Sequence, residues 1–83
     1  MKHAGPAALD ALEPLLERIR ATGVLKEKGR GIFYLKSRAF LHFHEDPKGL
    51  FADIRNAAGT DFDRFRVDEM EGVEAVMTRL KTL

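Results

Sequence analysis

At 83 residues the chain is shorter than the usual domain of roughly 100 to 150 residues, so it holds one domain around one thin core. It contains no cysteine, which excludes disulfides, thiolate metal sites and thiol nucleophiles. A balance of 14 basic against 13 acidic side chains argues against a generic polyanion binder and against an acidic tail, so any charge signal is local.

The opening Met1-Lys2-His3-Ala4-Gly5-Pro6 lacks the apolar run of a signal peptide, and no stretch approaches the roughly 20 apolar residues of a membrane span. The expected compartment is therefore the cytoplasm, and residues 1–7 read as a loose arm that packing ties down or leaves free. Leu12, Leu15, Leu16 and Ile19 recur at helical spacing. They predict a helix that starts at Asp10 or Glu13, with these two as a capping box, and stops at Gly23. Pro14 is then expected in its first turn. Val24 to Arg30 is a basic connector with turn-forming glycines, and Gly29-Arg30-Gly31 lacks the lysine and hydroxyl ending of a phosphate loop.

Ile32–Lys36 and Ala39–His44 are rich in β-branched and aromatic residues and predict two strands joined by a tight hairpin at Lys36-Ser37. Asp46-Pro47-Lys48-Gly49 has turn residues at each required position and leads into a strand over Leu50–Arg55. After the loop Asn56-Ala57-Ala58-Gly59, Phe62–Val67 alternates as a fourth strand. Asp68 and Glu71 form a second capping box for a helix whose apolar stripe is Met70, Val73, Val76, Met77 and Leu80. The expected fold is α+β, a four-stranded antiparallel meander with an N-terminal and a C-terminal helix packed on one face, in the order α-β-β-β-β-α.

Alternation sorts the strands into two faces. Phe33, Leu35, Leu41, Phe43, Leu50, Ala52, Ile54, Phe65 and Val67 form an apolar face for the helices. The other face carries a polar-aromatic set expected to be the binding surface: Tyr34, Phe40, His42, His44, Phe51, Asp53, Arg55, Arg64 and Arg66. Contiguous rings on a bare sheet mark a partner surface, unless the sheet curls and the N-terminal arm covers them.

The leading expectation is a small, non-enzymatic binding module that pairs as a homodimer through this face, since a thin core gains from a partner chain. A second reading is metal handling, zinc or iron, by His42 and His44 with Glu45, Asp46 or Asp53. His-x-His on one strand points both imidazoles the same way, although paired strand histidines are more often plain surface groups. A third is single-stranded nucleic acid or a phosphate ligand, drawing on Lys26, Lys28, Arg30, Lys36 and Arg38 beside the rings, without any RNP-type motif. Ser37 with a histidine and Asp53 makes a poor triad, because the serine falls in a hairpin turn with no nucleophile elbow. Asp61 and Asp63 read as turn and strand residues. No cofactor is implied.

The runs Lys28-Gly29-Arg30-Gly31-Ile32-Phe33-Tyr34-Leu35-Lys36-Ser37-Arg38-Ala39-Phe40-Leu41-His42-Phe43-His44-Glu45-Asp46-Pro47 and Asp61-Phe62-Asp63-Arg64-Phe65-Arg66-Val67 bound a stretch, Lys28 to Val67, that is about half of the chain. Over them the chain resembles a family of small uncharacterised bacterial proteins. The resemblance implies a bacterial source and carries no activity and no functional residue.

Overall fold

The chain runs β1 (Lys2–His3), α1 (Pro6–Thr22), β2 (Lys26–Gly29), β3 (Ile32–Leu35), β4 (Arg38–Asp46), β5 (Gly49–Arg55), β6 (Phe62–Arg66) and α2 (Met70–Lys81). This is a computed structural model, and it describes residues 2–83. The fold is α+β, with a helix near each end and an antiparallel sheet between them. Strands β2 to β6 follow one another as a meander, and β1 pairs with the far half of β4. Among the described residues no helix is long and apolar enough to cross a membrane.

The sheet is larger than the alternation predicts. Lys26–Gly29 has no apolar period, yet it pairs with β3, Lys26 opposite Tyr34 and Glu27 opposite Phe33. Glu27 holds the hairpin together, accepting from the Gly31 amide (2.9 Å) and from Arg20 Nε (2.6 Å). The terminal arm is tied down as well: the Ala4 amide donates to the Phe43 carbonyl (3.0 Å) and the Gly5 amide to Glu45 Oε2 (2.6 Å).

Helix α1 begins at Pro6, four residues before the expected start. Proline is preset for the first helical position, and Ala7, Ala8, Leu9 and Ala11 extend the helix forward. Pro14 therefore lies inside the helix, not in its first turn. No capping box forms, because Asp10 and Glu13 both turn to Arg30 (2.9 and 2.8 Å). Gly23 closes the helix in the left-handed conformation, as expected.

The cap expected for α2 is also absent. Asp68 is held by Arg66 (2.8 Å), Glu69 stands at the N-cap without a side-chain bond, and Met70 is exposed. The helix lies against β6 through Gly72, where a Cβ would stand 1.7 Å from the Arg66 carbonyl oxygen. That spacing admits only glycine.

Leu12, Leu15, Leu16 and Ile19 of α1, with Val76, Met77 and Leu80 of α2, bury in one cluster against Phe33, Leu41, Phe43, Ala52 and Ile54 of the sheet. Fully burying a side chain of this size contributes about 1.5–3 kcal/mol. Both helices thus cover the face that alternation assigned to them. The register between β3 and β4 breaks once, Phe33 facing Leu41 but Tyr34 facing Ala39, so Phe40 is an extra residue. A bulge of this kind turns neighbouring side chains to the same side. Phe40 consequently joins Leu41 in the core instead of standing on the open face, which corrects its expected position.

Candidate functional site

The long strand β4 projects His42 and His44 from the face that the helices leave bare. Strand register then selects their neighbours. His42 stands opposite Asp53 on β5, which stands opposite Arg64 on β6. One step along, His44 is flanked by His3 of β1 and by Phe51, which faces Arg66. Three imidazoles, a carboxylate and a guanidinium therefore meet on four strands.

The carboxylate is the centre. Asp53 is buried, and Arg64 grips it at both oxygens, Nε to Oδ1 at 2.7 Å and Nη2 to Oδ2 at 2.8 Å. His44 Nδ1 lies 3.1 Å from the same Oδ2 and His42 Nε2 lies 3.7 Å from it. The 3.1 Å approach is poorly aligned for a hydrogen bond, and among the described residues the buried His44 Nδ1 has no better-aligned partner. The rings of His42 and His44 sit edge to face at 4.9 Å, and the exposed His3 ring is 4.7 Å from that of His44. Phe62 closes the other side of His42, with ring centres 4.9 Å apart.

Electrostatics keep this set in the protonation states of a ligand sphere. Burial lowers the pKa of His42, aided by the neighbouring His44, and it lowers that of His44 against the pull of Asp53. Both imidazoles are thus held neutral at pH 7. Hydrogen bonding to Arg64 lowers the Asp53 pKa against the opposing effect of burial, so the carboxylate is ionised.

Metal ligands need these forms, a free imidazole nitrogen and a carboxylate. Donors bound to zinc at about 2.0–2.1 Å with tetrahedral angles stand about 3.3 Å apart. The two nitrogen-to-oxygen separations in the cluster, 3.1 and 3.7 Å, bracket that spacing. One donor atom from each of His42, His44 and Asp53 lies within 4.8 Å of the others, so the histidine pair must draw together by rotation about its side-chain bonds.

The remaining candidates fall elsewhere. Glu45 accepts from the Gly5 amide and faces Lys2, and Asp46 Oδ1 accepts from the Lys48 amide in the turn. Neither reaches the histidines' cluster. Ser37 sits in the β3–β4 turn, outside it. Tyr34 lies under Lys28 Nζ at 4.5 Å, and Arg55 donates to the Ala39 carbonyl while lying over Phe62. Arg66 is occupied by Asp68 and by the Lys48 carbonyl. Arg30 is occupied by Asp10 and Glu13, and Phe40 lies in the core and not on the open sheet face.

Two members of the site escaped the sequence reading. Phe62 was recoverable, since it shares the parity of Arg64 and Arg66 along β6. His3 carried no signal, because a two-residue strand is too short for any periodicity.

Comparison with protein-family models, curated proteins and solved structures finds no match to this chain.

Proposed function

We propose that this protein binds one divalent transition-metal ion of the zinc or iron class through His42, His44 and Asp53, with His3 of β1 as a fourth donor. The observation that carries the reading is the convergence of His44 Nδ1 and His42 Nε2 on one oxygen of the buried Asp53, at 3.1 and 3.7 Å, with His44 Nδ1 lacking a well-aligned hydrogen bond among the described residues. Burying a polar atom without a partner is unfavourable, and an ion bridging the two atoms supplies the partner that His44 Nδ1 lacks. Three nitrogens and one oxygen complete a tetrahedral zinc shell, whereas His42, His44 and Asp53 alone leave positions open, as iron(II) sites do. Arg64 holds Asp53 in place through both carboxylate oxygens, so an ion at Oδ2 has to displace the Nη2 contact.

Calorimetric titration of the metal-free protein with zinc and, without oxygen, with iron(II) tests this. One ion per chain is expected, with His44→Ala abolishing binding and His3→Ala weakening it by removal of the fourth donor. Binding that survives both His42→Ala and His44→Ala disproves the site.

Self-association through the same face is the second reading, favoured by the half-buried rings of Phe51 and Phe62 that border the histidines. The mass in solution, measured with and without zinc, decides it. A monomer under both conditions ends that reading and leaves the metal site standing.

A further inference from the structure

Six of the eight arginines hold a carboxylate: Arg18, Arg20, Arg30, Arg64, Arg66 and Arg79. Among the described residues Arg38 and Arg55 have no acidic partner, and these two stand together. Arg38 Nη2 and Arg55 Nη1 both donate to the Gly59 carbonyl, each at 3.2 Å. Two like charges thus converge on one neutral oxygen, with N–H groups on each guanidinium left over.

The pair is held in place. Arg55 Nε donates to the Ala39 carbonyl (2.8 Å), and its guanidinium lies 4.7 Å over the Phe62 ring. Gly59, at a φ of 73°, brings its carbonyl between them. A Cβ there would stand 3.0 Å from Arg38 Nη1, so the absence of a side chain lets the guanidinium lie against the loop.

Both arginines line a cleft of about 530 Å³ at the end of the sheet, within the range of small-molecule sites. Lys36 adds a third cation and Arg79, paired with Asp63, a fourth, and no aspartate or glutamate lines the cleft. Leu35, Phe40 and Leu83 supply apolar wall.

We infer that this cleft is an anion site separate from the histidine cluster, built for a small phosphate monoester whose phosphate docks on Arg38 and Arg55 and whose apolar body lies along Leu35, Phe40 and Leu83. A phosphate monoester carries a charge of about −1.5 to −2 at pH 7, which matches two guanidiniums and a nearby lysine better than a single carboxylate does. Guanidinium and phosphate also pair in a two-pronged geometry that uses the leftover N–H groups.

The test is an amide NMR titration of the whole chain, free of metal and at low salt, with phenyl phosphate, inorganic phosphate and benzoate in parallel. Phenyl phosphate is expected to give saturable shifts confined to Ala39, Phe40, Asn56 and Gly59, with inorganic phosphate weaker at the same amides. Arg38→Gln, an exposed residue making one intramolecular hydrogen bond, is expected to weaken binding about tenfold or more, the loss of a charge-assisted contact, while Arg18→Gln leaves it unchanged. Benzoate binding as tightly as phenyl phosphate overturns the assignment to phosphate. Millimolar phenyl phosphate that shifts nothing, or shifts every basic surface alike and ignores Arg38→Gln, overturns the site. None of these outcomes depends on whether the histidines bind metal.

Discussion

His44 Nδ1 and Asp53 Oδ2 stand 3.1 Å apart in poor alignment for a hydrogen bond, while Arg64 holds both oxygens of the same carboxylate. The aspartate is therefore bound twice over, by a cation now and by two imidazoles poised at the same oxygen. A metal ion between them must take Oδ2 from Arg64 Nη2 and leave Nε on Oδ1.

That competition predicts opposite effects of Arg64→Gln on affinity and stability. A unit positive charge roughly 5 Å from a divalent ion opposes it by about 1.7 kcal/mol even at the dielectric constant of water. Zinc should bind the variant at least tenfold more tightly. The metal-free variant should lose about 1–2 kcal/mol, between the values for exposed and buried pairs, since Asp53 is buried and Arg64 half exposed. Zinc titration and urea unfolding read the two effects, and a fall in affinity would mean that Arg64 assists the ion.

Acid should destabilise the metal-free protein in two steps. His42 and His44 titrate below their ordinary value of 6.5 when folded, so the unfolded chain takes up protons first as the pH falls through 6.5. Unfolding is thereby favoured in acid and stability declines from there down to the folded values. Asp53, held below its ordinary 3.8, adds a second loss as the pH falls below that value. Melting temperatures across this range check the profile. The double variant His42→Gln, His44→Gln should flatten the first step and spare the second.

Phe40→Ala should cost about 3–4 kcal/mol in urea unfolding, the range for a core phenylalanine, and leave the mass in solution unchanged. A loss under about 1 kcal/mol would put the ring back on the open face.

Phe40 also marks where reading strands by alternation stops working. The period-2 pattern placed Leu41, Phe43, Ala52 and Ile54 beneath the helices and His42, His44, Asp53 and Arg64 opposite, because burying one face is enough to set register. A bulge adds one residue without any change in composition, so the pattern assigned Phe40 to the wrong side. Strand β2 was illegible for another reason. Lys26-Glu27-Lys28-Gly29 is held by the ion pairs of Glu27 and by β3, not by apolar alternation. The capping boxes failed because the partners of Asp10, Glu13 and Asp68 are arginines distant from the helix starts or strand-borne, and spacing within a helix does not reveal them.

Gly72→Ala should destabilise by about 3 kcal/mol although alanine is the better helix former by roughly 1 kcal/mol. The added methyl has to push α2 away from the Arg66 carbonyl, 1.7 Å from its position. Thr78→Ala, on the exposed side of the same helix, should stay within about 0.5 kcal/mol in the same unfolding experiment.

Strands β3 and β1 lie end to end along one side of β4, and the second of them is two residues long. When so brief a segment frays, Phe43 and Glu45 are left with unclaimed main-chain groups, and the imidazole of His3 departs in the same movement. Under the proposed metal reading, the grip on an ion and the seal on a vulnerable sheet margin would be one event, so scavenging the metal would also invite foreign strands to the gap.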